Sequence, residues 1–142
     1  MRDGEPCPAC RVHSTAEVPP EPIRLRIDAP DKWLSANDRR HHMNRSRISK
    51  RWRETGEAAA RAAGLAPLQT PVRIVARVTK PRGGRYDPHN LVLSAKPVID
   101  GLVDAGLLED DDHTRVVGPD MRHGGRGPAG LDLIIHQRWV ED

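Results

Sequence analysis

Two groups of acidic side chains stand out in the second half of the chain. Asp87 lies in the run Tyr86-Asp87-Pro88-His89-Asn90, and Glu109-Asp110-Asp111-Asp112 follows further on. Crowded carboxylates repel one another, and such groups persist where a cation neutralises them. Hard oxygen donors suit Mg2+, which keeps several waters and needs few carboxylates. A divalent ion held in this way makes a bound water nucleophilic and stabilises a leaving oxygen, which is the chemistry of phosphodiester hydrolysis. Taken singly, each group also has a plainer account. Asp87-Pro88 is an ordinary turn starter, and an acidic run after Gly106 suits a solvated loop.

The layout of charge points the same way. From Asp38 to Arg53 the bases Arg39, Arg40, Arg45, Arg47, Lys50, Arg51 and Arg53 stand against Asp38 alone. From Asp87 to Asp112 the acids Asp87, Asp100, Asp104, Glu109, Asp110, Asp111 and Asp112 stand against Lys96 alone. A basic block suits a polyanion. An acidic block does not, unless a metal ion sits in it, and on charge alone the plainer account is a basic helix face and an acidic loop, both solvated.

These groups require elements to position them. With 142 residues the chain suits one domain with a real core. Residues 1 to about 21 are polar and Pro-rich and read as a flexible tail, leaving 22–142 as the folded domain. Ile23 to Ile27 alternates strictly and predicts a strand, and Val72 to Val78 predicts a second. A helix is expected from about Ser46 to Ala63, capped by Ser46 or Ser49 and stopped by Gly64, with Ile48, Trp52, Ala59 and Ala63 on its apolar face. A second helix is expected from a cap near Ser94 to about Asp104, which places Pro97 in its first turn. Val98, Ile99, Leu102 and Val103 supply its buried side, and Gly106 ends it. A short strand at Thr114 to Val117, a turn from Gly124 to Gly130 and a last strand from Leu131 to Val140 complete the pattern, with Leu131, Leu133, Ile135 and Gln137 sharing one face. The order predicts an α+β fold, a mixed sheet of about four strands carrying two helices.

No apolar run approaches the roughly 18 residues of a membrane span, and no secretory signal begins the chain. Cys7 and Cys10 stand too close together to staple a fold, which implies a reducing, cytoplasmic setting. With His13 they supply three of the four ligands of a structural zinc site, and His41 or His42 can complete it.

The span Asp87-Pro88-His89-Asn90-Leu91, then Lys96, then Asp100-Gly101-Leu102-Val103-Asp104-Ala105-Gly106-Leu107-Leu108-Glu109-Asp110-Asp111 resembles the core of the RusA-type Holliday junction resolvases. Their pattern is Asp-x-Asp-Asn-Leu, a Lys, Asp-Ala-Leu, then Ala-Gly, two apolar residues and an Asp-Asp pair. Upstream, Ser35-Ala36-Asn37-Asp38-Arg39 and the basic helix are collinear with a polar loop and helix of that family. The resemblance implies Mg2+-dependent cutting of four-way DNA junctions by a homodimer, in DNA recombination and repair. It carries the metal-binding positions onto Asp87 and Asp111, with Asp110 alongside, the essential Lys onto Lys96, and the motif Asn onto Asn90. Two departures follow. The family's second Asp is His89 here, which tolerates Mn2+ better than Mg2+ or serves as a base or phosphate contact, or else another acid such as Asp100 or Asp104 compensates. The span from Asn90 to Asp100 is also longer than usual.

Under this reading Arg39, Arg40, Arg45, Arg47, Lys50 and Arg51 line the junction-binding surface. Arg82 and Arg85 hold the scissile strand, and Tyr86 stacks on an unpaired base or packs at a strand end. The alternatives are a non-catalytic branched-DNA-binding protein with a decayed metal site, and a zinc-stabilised interaction module. The excess of Arg over Lys fits a phage or prophage of a GC-rich bacterium.

Overall fold

A computed structural model describes residues 20–37, 39 and 41–140. Four strands form one mixed sheet: β1 (Ile23–Asp28), β2 (Val72–Lys80), β3 (Val116–Arg126) and β4 (Gly130–His136), in the order β1-β4-β2-β3. β4 is antiparallel to both β1 and β2, and β3 lies parallel to β2 at the edge. Two helices, α1 (His42–Ala63) and α2 (Val92–Asp104), pack on the sheet, and the fold is the expected α+β arrangement.

The period-two pattern sets the inner face. Leu25 and Ile27 of β1 stand opposite Leu133 and Leu131 of β4, which stand opposite Ala76 and Val78 of β2. All of these are buried, together with Ile74 and Ile135 one step along. Gln137 is buried beyond them, as expected, and its Oε1 accepts a bond from the Gln69 N–H at 2.8 Å. Trp52, Ile48, Val98, Ile99 and Leu102 from the helices close the same core.

Several boundaries differ from expectation. α1 starts at His42 rather than Ser46, because the His41 Nδ1 accepts the Met43 N–H at 3.2 Å and caps the helix early. Gly64 stops it as expected, at φ 62°. Its buried stripe is Ile48, Trp52, Gly56 and Ala60, whereas Ala59 is half-buried and Ala63 exposed. α2 follows directly on a 3-10 turn (Pro88–Leu91), so Pro97 falls in its second turn. Pro97 removes the bond that the Leu93 carbonyl would accept, and Leu93 is an exposed residue. Ser94 is not a cap. It is fully buried, and its hydroxyl accepts the Leu34 N–H at 2.7 Å and donates to the Leu34 carbonyl at 3.1 Å. β3 runs far beyond the short expected strand, and only residues 127–129 turn before β4. Gly118-Pro119 and Gly124-Gly125 hide this strand in the sequence. An edge strand with shifts in register tolerates them. β4 ends at His136, short of Val140. No helix among the described residues is long and apolar enough to cross a membrane.

The two helices meet backbone to backbone. A Cβ on Gly101 would lie 2.3 Å from the Arg53 carbonyl oxygen and 2.6 Å from the Glu57 nitrogen, and one on Gly56 would lie 2.5 Å from the Val98 carbonyl oxygen. Helix backbone cannot yield as a flexible side chain does. Gly101→Ala is therefore expected to destabilise the fold by about 1–3 kcal/mol through overpacking. Gly127→Ala, which meets nothing within 4 Å, is expected to be near neutral. Urea denaturation of both variants checks this.

Candidate functional site

The site begins where β2 hands the chain to α2. Asp87 caps the 3-10 turn: its Oδ1 accepts the His89 N–H at 3.0 Å, and its carbonyl accepts the Asn90 N–H at 3.0 Å. The His89 ring nitrogen Nδ1 lies 3.5 Å from the same carboxylate oxygen. The Asn90 carbonyl accepts the Ala36 N–H at 2.8 Å, which ties the polar loop around Ser35 to the start of α2. The 3-10 turn that carries His89 packs on β3. The Asp120 carboxyl is held below its ordinary range, first by Arg122 and then by Arg73, with a smaller contribution from His89.

The second acidic group reaches the helix by doubling back. α2 rises about 1.5 Å per residue, so a chain that simply left its C-terminus would move away from the first turns. Instead Gly106 turns at φ 85°, Leu107 and Leu108 are buried, and the chain returns alongside α2. This return brings the Asp111 carboxylate onto the Lys96 Nζ. Lys96 also lies 3.8 Å from Asp100, one helical turn on.

The three consecutive aspartates have different tasks. Asp110 Oδ1 accepts the Asp111 N–H at 2.7 Å and shapes the turn. Asp112 accepts the Thr114 N–H at 2.8 Å and pairs with Arg115 at 2.5 Å, and Glu109 pairs with the same Arg115 at 2.7 Å. Only Asp111 is directed at α2. Its carboxyl and that of Asp100 flank the same Lys96 ammonium. Lys96 is the largest influence holding Asp111 below the usual carboxylate range. Asp100 is pushed above it, first by burial and then by the neighbouring Asp111 carboxyl. Asp111 is thus the member of the pair that ionises first. Among the described residues no group of three or more His, Cys, Asp or Glu side chains is placed to hold a metal ion, so Asp87 and His89 are not drawn into one ligand set with Asp111.

A cleft of about 500 Å³ runs between the helices beside this pair. One wall is the basic face of α1, with Arg45, Ser46, Ser49 and Lys50, and the other includes Pro97 and Asp100. The basic residues divide into two sets. Arg53 grips Asp104 through two bonds of 2.7 and 2.9 Å, Arg51 pairs with Asp31 at 2.9 Å, and Arg47 donates to Asn44 at 3.3 Å. Arg45 and Lys50 have no carboxylate partner among the described residues, and both are exposed in the cleft. Arg39 is also exposed.

Arg82 and Arg85 are exposed on the turn after β2, beside a cavity of about 280 Å³ that Trp33, Lys80 and Tyr86 help to line. Tyr86 is half-buried. Its hydroxyl is 2.5 Å from the His123 Nδ1, and the Lys80 ammonium sits 4.1 Å from its ring centre. Arg40, and Cys7, Cys10 and His13 of the proposed zinc set, lie outside the described residues.

Sequence reasoning gave Asp100 only a compensating role and did not single out Asp120. The spacing of Lys96 and Asp100, four apart on one helix, was the available signal for the first. Asp120 carried no signal, because β3 itself was not legible there.

An α+β domain with a carboxylate pair bridged by a lysine, set against a basic cleft, is the class of protein these side chains define. No family model matches the chain. A protein of Xylella fastidiosa (strain Temecula1 / ATCC 700964), described as "Uncharacterized protein", is 31% identical over 145 residues, spanning 96% of this chain and 91% of that protein. The chain belongs to the same family as that protein.

Asp120 offers a test of the electrostatics. Its folded carboxyl is depressed, so its contribution to stability is complete above the ordinary carboxylate range and is lost as pH falls through the lowered folded value. Asp120→Asn is expected to cost about 1 kcal/mol at neutral pH, given the partial exposure of the pair. The deficit should close in acid. Urea titrations at neutral and acidic pH measure the difference.

Proposed function

We propose that this protein is a metal-dependent endonuclease that nicks branched DNA, with four-way junctions as substrate and a homodimer as the active unit. The observation that carries the reading is the return of Asp111 to Lys96 and Asp100 at the edge of the basic cleft. It is supported by the resemblance of Asp87 to Asp111 to the RusA-type resolvases. That resemblance also supports a role in DNA recombination, while the cysteine usage supports a cytoplasmic setting and the excess of Arg over Lys an origin in a phage or prophage.

The donor set suits a hard cation. Asp100 and Asp111 offer only oxygen, and both flank the Lys96 ammonium, which balances part of their charge. Mg2+ binds through one or two carboxylates together with waters and substrate phosphates. Asp111 and Asp100 would hold it, whereas Asp87, Asp110 and His89 belong to the expected motif but are not gathered with them. Bound there, the ion supplies an activated water and charge stabilisation on the leaving oxygen. The chain's own residues do the rest. Arg45 and Lys50 take backbone phosphates along the cleft, and Arg82 and Arg85 neutralise the strand beside Asp87. Lys96 offsets negative charge at the scissile phosphate once its hold on Asp111 is released. A four-way junction has approximate two-fold symmetry, so paired nicks suit one such centre in each half of a symmetric dimer.

His89 favours a second reading, a branched-DNA-binding protein whose metal site has decayed, because it replaces a hard anionic donor by imidazole. One experiment separates the two. A labelled four-way junction is incubated with the protein in Mg2+ and, separately, in Mn2+. The endonuclease reading predicts paired nicks, and a loss of about 100-fold or more in rate for Asp111→Asn or Asp87→Asn with junction binding retained. Binding without nicking in either metal supports the second reading. Full cleavage by both variants contradicts the assignment. His89→Asp is expected to keep or raise the Mg2+-supported rate, and a gain confined to Mn2+ would count against a shifted metal preference.

A further inference from the structure

The helices cover one face of the sheet, and the other face carries arginine from every strand but β4. The register across β1, β4 and β2 sets Arg26 opposite Asp132 opposite Arg77, and Arg24 opposite Ile134 opposite Val75. On the far side of β2, Val75 and Arg77 stand opposite Asp120 and Arg122 of β3. Arg73 lies one step along β2, under Trp139, whose ring centre is 5.3 Å from the guanidinium.

Three of these five arginines are already neutralised. Arg26 lies 3.0 Å from Asp28 and 3.4 Å from Asp132, and both Arg73 and Arg122 reach Asp120, at 2.8 and 2.9 Å. Arg24 and Arg77 are exposed and have no carboxylate partner among the described residues. They flank a shallow hollow of about 220 Å³ floored by Asp132 and Ile134. With strands about 4.8 Å apart and about 3.3 Å per residue along each, their backbones stand about 12 Å apart on the diagonal. Two long guanidinium side chains cover that interval from opposite sides.

The sign of the surplus charge selects the occupant. Arg24, Arg26, Arg73, Arg77 and Arg122 against Asp28, Asp120 and Asp132 leave the face positive, with both unpaired charges cationic. A second copy of this chain laid on it would set like charge against like. A phosphate backbone supplies the opposite charge, and guanidinium binds it through two parallel bonds.

We infer that the outer sheet face is a second nucleic-acid surface, on which Arg24 and Arg77 hold the phosphate backbone of a duplex arm. It lies across the sheet from the Lys96–Asp111 pair, so one duplex stem rests on it while another strand lies in the helix cleft. Asp120 and Arg122 continue the charged face to the β3 edge. The inference rests on the reading of DNA as the substrate, but it does not require cleavage.

The test is the salt dependence of binding to a short labelled duplex, read by fluorescence anisotropy in EDTA so that no strand is cut. Arg24→Gln/Arg77→Gln is expected to weaken binding about tenfold and to lower the slope of log affinity against log salt by about 2, one for each phosphate no longer neutralised. Arg24→Lys/Arg77→Lys should restore the slope, since charge is kept. Unchanged affinity and slope in the Gln variant would overturn the inference. So would a fall in molecular mass of that variant in sedimentation with the slope unchanged, which would make the face a contact between copies. Arginine-dependent binding by a protein that never nicks a junction would leave this surface standing and remove only the endonuclease reading.

Discussion

The close contact of α1 and α2 sets the position of everything else in the candidate site. At Gly56 and Gly101 there is no room for even a methyl group between the helix backbones. That contact fixes how far the basic face of α1 stands from Asp100, which immediately precedes Gly101. It also places Arg53 within reach of Asp104, and the bidentate pair locks the crossing from the solvent side. A wider crossing would open the cleft and separate Arg45 and Lys50 from the carboxylates they are proposed to serve. Here packing, rather than attraction between charges, brings opposite charges side by side.

Within that frame the charged residues are sorted by what they already hold. Arg47, Arg51, Arg53 and Arg115 have local partners, as do Asp112 and Glu109. Among the described residues, Arg45 and Lys50 on the cleft wall and Arg24 and Arg77 on the outer sheet lack such commitments, as do Arg39, Arg82 and Arg85. Lys96 is the exception. It is paired, but with two carboxylates at once, so its ammonium holds together a pair that repulsion would part. On the proposed reading, an incoming cation would compete with that lysine directly, so that cation binding and the release of a positive side chain toward a phosphate would be one event.

The parts of this arrangement legible in the sequence are those governed by short periods. The alternation in Ile23 to Ile27, Val72 to Val78 and Leu131 to Ile135 marked three strands and their buried faces, because side-chain period and burial are tied in a sheet. The helices were legible as elements, but their starts were not. His41 is an unusual cap, and Ser94, which has the right type for a cap, is used instead to pin Leu34 to α2. β3 was mostly hidden, since Gly and Pro on an edge strand look like a turn when the neighbouring strand is unknown. Of the site, the residue types were legible and the choice among them was not. Nothing in Asp110-Asp111-Asp112 says which side chain faces the helix, because that depends on the turn at Gly106 and on Arg115 drawing Asp112 and Glu109 away.

Asp111 and Asp100 are, on this view, the seat of a divalent cation. Crystals of the protein soaked in Mn2+ and measured for anomalous scattering test this directly. The predicted result is a peak at coordination distance from the Asp111 carboxylate, with the Lys96 ammonium turned away from its present partner. A fully measured anomalous map with no peak at Asp111, or with manganese bound only elsewhere, would contradict it.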